Sequence, residues 1–195
     1  MRIDLGCGPK KREGFFGVDV QPYEGVDLVH DLGLFPWPIA SNSVEEIFSS
    51  HALEHLPNGL AFMDSFLREI GRVCKDRAFL EIWTPHARGR NAFLPDHRSF
   101  YTEDIWLHWG CLYQDQWKKV LGGWFEVIEF RYVISRETSR ALNASNMPPV
   151  FAVEYLHSVI EEFGVFVTFH KSGEPLPSQP HRTWAHSRYE RSRSL

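Results

Sequence analysis

The apolar residues of this chain follow two rhythms. Short β-branched runs bounded by glycine, proline or aspartate occupy residues 2–5, 16–20, 26–30, 44–50 and 77–83, and such runs read as parallel strands of a buried sheet. Between them, Leu60, Met63, Phe66, Leu67, Ile70 and Val73 recur at spacings of three and four. That period predicts an amphipathic helix ending near Cys74, with Asn58 as its N-cap. Lys75 and Asp76 then form a turn into the fifth strand, which Thr84 and Pro85 stop. A second helix is predicted over 102–121 from Ile105, Trp106, Trp109, Leu112, Tyr113 and Val120, capped by Thr102 and closed by Gly122 and Gly123. Residues 124–134 alternate as a strand does, and 136–149 read as a polar loop. A third helix over 149–163 and a strand over 165–169 complete the pattern, and 172–195, rich in Pro, Ser, Arg and His, reads as a flexible tail.

Right-handed crossovers between these strands make an open, doubly wound α/β sheet, with its ligand at the carboxyl ends of the strands. A single domain over 1–171 is expected, with lid inserts at about 86–123 and 136–163. Only a short loop or one helical turn fits between the first two strands, and no helix precedes the first.

Composition narrows the partners. The chain has 195 residues, a formal net charge of −4 and 43% hydrophobic residues, enough for one sizeable core and no overall basic field. Bulk nucleic-acid binding is therefore not expected, and a small-molecule partner is favoured. Three scattered cysteines make neither a disulfide framework nor a metal knuckle, so a reducing cytoplasm is the expected home. No apolar run reaches the roughly 20 residues of a membrane span, and no signal core begins the chain, which reads as soluble and unprocessed.

The chemistry starts at DLGCG, residues 4–8, where the first strand turns at the switch point of the sheet. Glycines there let backbone approach a ligand closely. A dinucleotide fingerprint needs a third glycine where Lys11 stands. Asp19 and Asp31 end the next two strands, where a carboxylate can accept hydrogen bonds from ribose hydroxyls. The letters HALEH, residues 51–55, also spell a zinc-peptidase motif. Zinc would need His51 and His55 one turn apart on a stable helix with a third ligand downstream, and Pro57 disfavours that helix, so no metal is expected.

Taken in order, IDLGCGP at 3–9, FGVDV at 16–20, VHDL at 29–32, SHALEHL at 50–56, REIGRV at 68–73 and LEIWTP at 80–85 resemble the successive motifs of class I S-adenosylmethionine-dependent methyltransferases. PDHRSFYTED at 95–104 is similar to a His-containing segment of small-molecule and sugar-modifying members. The resemblance implies a Rossmann-like seven-stranded sheet of order 3-2-1-4-5-7-6, lacking the usual N-terminal helix. It implies that Gly6 and Gly8 pass under the cofactor and that Asp4 holds its amino group. Asp19 would bind the ribose, Asp31 with the Leu32 backbone the adenine, and Ser50 and His51 would face the methionine and the transferred methyl. The cofactor would be S-adenosylmethionine and the product S-adenosylhomocysteine.

A hydroxyl acceptor also needs a base, and a neutral imidazole suits that role near pH 7. Among His51, Glu54, His55, His86 and His97, the positions of His51 and His97 favour those two. The expected function is methyl transfer to a small molecule or glycan, to oxygen. The alternative is a cofactor-binding subunit that serves a partner, and the absent first helix leaves room for a homodimer or another partner to close the site.

Overall fold

The computed structural model describes residues 1–176 and 179–195. Nine strands form its sheet: β1 (Arg2–Leu5), β2 (Phe16–Asp19), β3 (Leu28–Val29), β4 (Val44–Ser50), β5 (Cys74–Thr84), β6 (Trp124–Val133), β7 (Glu162–His170), β8 (His181–Ala185) and β9 (Arg193–Ser194). The helices are α1 (Leu60–Val73), α2 (Glu103–Leu107), α3 (Gln114–Leu121), α4 (Arg136–Ala144) and α5 (Pro149–Tyr155). The strand order is β3-β2-β1-β4-β5-β7-β6-β8-β9, so the expected Rossmann-like order stands and two strands extend it at the β6 edge. β1 to β5 pair in parallel, whereas β7 runs antiparallel to both β5 and β6.

The sheet faces differ. Ile3, Leu5, Ile47, Leu80 and Ile82 share one large cluster with Phe66, Leu67 and Ile70 of α1, Trp106 of α2, Leu121 of α3 and Ala152 of α5. A smaller cluster of Trp83, Val133 and Phe166, flanked by Phe48 and Phe79, contains no helical residue. Alternate residues of one strand feed each cluster, as the pleat requires: on β5, Leu80 and Ile82 go one way, Phe79 and Trp83 the other.

Several local expectations change. Gly59, not Asn58, occupies the N-cap of α1, and no side chain caps that helix. The Lys75 turn survives as a bulge inside β5, because Val44 pairs with Cys74 but Glu46 pairs with Phe79, and Arg77 takes a φ of 60° there. The helix expected over 102–121 splits into α2, a π-helical turn over His108–Leu112, and α3. Aromatic packing accounts for the break. Trp106, Trp109 and Trp117 pack edge to face in sequence, and the Trp117 indole donates to His108 Nδ1 at 3.0 Å, across the widened turn.

The segment read as a polar loop after residue 135 holds α4. Ser135 caps it by accepting from the Thr138 amide at 3.1 Å, and Leu142 is its one buried anchor. One apolar residue leaves no period to read, so a capped polar helix escapes the pattern. The third predicted helix ends early, at Tyr155, and Glu162 already belongs to β7.

The largest correction concerns 172–195, of which 177–178 lie outside the described residues. This segment is no loose tail. β8 pairs in parallel with β6, β9 pairs with β8, and Trp184 and Ala185 are buried. A strand near the sheet's edge needs backbone hydrogen bonds and one good anchor rather than a run of aliphatics, and Trp184 of β8 is that anchor. Trp184→Ala is therefore expected to lower the unfolding free energy by about 3 kcal/mol. Urea denaturation checks this, and an unchanged midpoint would restore the loose tail.

Candidate active site

β1 ends in a tight turn whose backbone only glycine adopts easily, with Gly6 at φ 68° and Gly8 at φ 56°. The Gly6 amide donates to Val18 O at 2.8 Å, which pins the turn to β2. A Cβ on Gly6 would come 2.2 Å from Ala52 Cβ, whereas one on Gly8 would meet nothing within 4 Å. Gly6 is thus required by packing against the loop after β4. Gly8 faces open space, as a surface that approaches a ligand does. The turn lies at the topological switch point, between β2 on one side of β1 and β4 on the other.

Two carboxylates frame that turn. Asp19, at the end of β2, accepts from the Gly8 amide at 2.8 Å through Oδ2 and from the Gln21 amide at 2.9 Å through Oδ1. Each oxygen keeps a further lone pair for a hydroxyl. Asp4 is 2% exposed and accepts from the Arg12 amide at 2.8 Å. Burial raises its pKa, only partly offset by the Arg12 amide and guanidinium. Cys7, between the glycines, has its thiol pushed up to about 11 by burial and by Asp4 and Asp19, which suits a spacer rather than a nucleophile.

Asp31 and Leu32 follow β3. Asp31 is exposed and accepts from the Gly33 amide at 2.8 Å, while Leu32 is buried and its carbonyl takes the Trp37 indole at 3.1 Å.

At the carboxyl end of β4 the chain turns left-handed at His51, φ 54°, whose amide donates to Trp83 O at 2.9 Å. Its ring sits between two acids. Glu162 Oε2 lies 3.9 Å from Nε2, an ion-pair separation rather than a hydrogen bond, and Glu54 Oε1 lies 3.2 Å from Nδ1. Glu162 first and Glu54 second raise the His51 pKa to about 9, against the opposing effect of burial. The two carboxylates thus favour the protonated ring at neutral pH. His51 is therefore not the neutral base that its position suggests, and Glu162 in turn is held below its ordinary range by His51 and Arg188.

Arg188 and Glu162 were not legible as site residues. Arg188 donates to Ser50 Oγ, places its Nε 3.6 Å from Glu162 Oε2 and stands 5.9 Å over the Trp83 ring. An arginine in a polar C-terminal segment carries no local signal of such a contact. His86 is taken out of the running as a base: it is fully buried, its Nε2 donates to Glu103 Oε2 at 3.0 Å, and its Nδ1 accepts from the Arg88 amide. Burial opposes ionisation of Glu103, yet His86 and Tyr132 bring its pKa down to about 2. That trio ties the chain after β5 to α2 and β6. His97 instead lies half-buried beside His55, the rings 4.9 Å apart and nearly perpendicular.

No protein-family model and no curated protein matches the chain. Solved structures do. A SAM-dependent methyltransferase from Archaeoglobus fulgidus superposes with a TM-score of 0.56 at 15% identity, covering 85% of this chain and 84% of the other. The fold is that of the S-adenosylmethionine-dependent methyltransferases. A structure of the Haloferax volcanii Trm112 methyltransferase activator in complex with a methyltransferase matches at a TM-score of 0.52 and 16% identity, over 88% of this chain and 82% of the other. The [4+2]-cyclase SpnF matches at 0.51 and 16%, over 88% and 74%. The methyltransferase fold thus carries more than one chemistry, and function rests on the site.

Because the folded pKa of His51 lies above its ordinary 6.5, its ion pairs contribute stability fully below about pH 6.5 and lose it as pH rises through about 9. An NMR titration is expected to place the His51 ring midpoint near 9, and Glu162→Gln should bring it down toward 6.5. A wild-type midpoint at 6.5 would dissolve the triad.

Proposed function

We propose that this chain binds S-adenosylmethionine and transfers its methyl group to a small molecule or glycan, at oxygen. The observation that carries this reading is the pair of left-handed glycines at the switch point, facing open space at Gly8, with the Asp19 carboxylate fixed beside them. Gly6 and Gly8 would pass beneath the cofactor, Asp19 would take the ribose hydroxyls, and Asp31 with the Leu32 amide the adenine. Asp4 would hold the methionyl amino group, and Ser50 and His51 would border the reacting end. Methyl transfer from a sulfonium is an in-line displacement, so alignment and exclusion of water are the protein's contribution, and effective molarities for such positioning reach about 10⁵ M or more.

For a hydroxyl acceptor the base role falls to His97 rather than His51. His97 Nδ1 donates to Ala92 O at 3.1 Å, which leaves Nε2 with its lone pair. His51, held protonated between Glu162 and Glu54, supplies a fixed positive charge instead.

A second reading, a cofactor-binding subunit that works with a partner, is favoured by Arg188. Its guanidinium engages Ser50 at the end of β4, on the ground the first reading assigns to the methionine. Turnover by the isolated chain would exclude that alternative.

Calorimetric titration with S-adenosylmethionine and S-adenosylhomocysteine is the direct test. Micromolar binding is expected, weakened at least about tenfold in Asp19→Asn, since each lost hydrogen bond to a charged group is worth about 1.5–3 kcal/mol. Absence of binding by the folded wild-type chain would overturn the proposal.

A further inference from the structure

One histidine and the glutamate of the zinc motif meet a third group from elsewhere in the chain. A carboxylate oxygen of Glu54 and one ring nitrogen each of His55 and His97 all lie within 4.8 Å of one another. Glu54 is 2% exposed, and its Oε2 is buried without a hydrogen-bond partner among the described residues, although its Oε1 takes His51. A buried carboxylate oxygen with nothing to neutralise it is costly unless it meets a donor or a cation.

The histidines are already oriented. His55 Nδ1 lies 3.3 Å from Asp96 O and 3.4 Å from Asp96 Oδ2, and His97 Nδ1 lies 3.1 Å from Ala92 O. A carbonyl can only accept, so Nδ1 of each ring carries the proton. Both Nε2 atoms keep a free lone pair, which is how the outer contacts of a metal-bound histidine fix its tautomer.

Backbone bonds hold the two halves of the cluster together. The Arg98 and Ser99 amides donate to Glu54 O at 2.7 and 3.1 Å, and Ser99 Oγ donates to Leu56 O at 3.1 Å. The segment carrying His97 is thereby clamped onto the 3-10 turn Leu53–His55 that carries the other two groups.

We propose that Glu54, His55 and His97 form a binding site for a divalent transition-metal ion of the zinc class. Two imidazoles and one carboxylate favour such an ion over magnesium or calcium, which take oxygen ligands. A tetrahedral ion with bonds of about 2.0–2.1 Å sets its ligand atoms about 3.4 Å apart, so from separations within 4.8 Å the three groups draw in by up to about 1.4 Å, and exposed His55 has the freedom to do so. Three protein ligands leave a fourth position for an oxygen of water or of an acceptor, and because a ligated His97 Nε2 can no longer take a proton, His97 serves as base only in the metal-free protein and the ion acidifies the bound oxygen in the loaded one. The set differs from the one the motif spells, because His51 is engaged by Glu54 Oε1 and Glu162, and His97 replaces it.

The test is titration of chelator-treated full-length protein with Zn²⁺ in competition with a chromophoric chelator, supported by the ligand-field absorption of Co²⁺. One equivalent is expected to bind. His97→Ala and His55→Ala should each weaken binding at least about tenfold, while His181→Ala, at the exposed start of β8, should leave it unchanged. Zn²⁺ should also raise the melting temperature of the wild type and not that of His97→Ala, with circular dichroism confirming that each variant is folded. Wild-type protein that takes up no zinc, or His97→Ala that binds it as tightly, would overturn the site. S-adenosylmethionine titration in the presence of chelator reads the cofactor proposal separately, so the two can fail independently.

Discussion

The direction of β7 governs what gathers at the working edge of the sheet. Parallel strands deliver their last residues to that edge, which is where Leu5, Asp19 and Ser50 arrive. β7 runs against its neighbours, so its first residue arrives there instead, and Glu162 stands beside the end of β4. The pairing is rigid on both sides: β7 bonds along its length to β5 and β6, and the Glu161 amide donates to Val133 O at 2.8 Å. The β6 ladder holds the Glu162 backbone opposite Val133, which keeps its carboxylate within ion-pair reach of His51. Strand direction thus supplies the acid that favours the protonated imidazole.

The same sheet meets a second constraint on the face that no helix covers. Its aromatic residues lie under guanidinium groups: Arg12 stands 4.4 Å over Phe48 and 5.1 Å over Phe15, Arg2 5.0 Å over Phe15, and Arg131 4.5 Å over Phe166. Each such contact is worth about 0.5–1 kcal/mol at exposed sites, and the aliphatic stems cover apolar surface as well. Arg12 joins this roof to the site, since it also pairs with Glu81 at 2.6 Å while its amide fixes Asp4. The short connection from β1 to β2 holds no helix, and Arg12 lies within it.

What could be read from sequence was what the chain encodes locally. The glycines after β1, the aspartate ending β2 and the period of α1 each declare themselves within a few residues, and the structure puts each where that signal points. The features that escaped are joined over long separations. Arg188 reaches Ser50 across most of the chain, and β8 is a strand because β6 offers it an edge. α4 escaped for the opposite reason: a Ser135 cap and one buried leucine are too little pattern to distinguish a helix from a polar loop.

The five letters from His51 to His55 show how spacing misleads when the backbone is not regular. On an α-helix the two histidines would share a face, which is the arrangement the peptidase motif requires. Here His51 takes a left-handed conformation and the next residues form a single 3-10 turn, so the rings part. His51 turns to Glu162 and is held as a cation, whereas His55 turns to His97. Glu54 stands between them and divides its carboxylate, with Oε1 to His51 and Oε2 left without a partner. Pro57 explains why no longer helix restores the motif's geometry, since the residue before a proline is driven out of the α region. Leu56 is indeed extended, with ψ 155°.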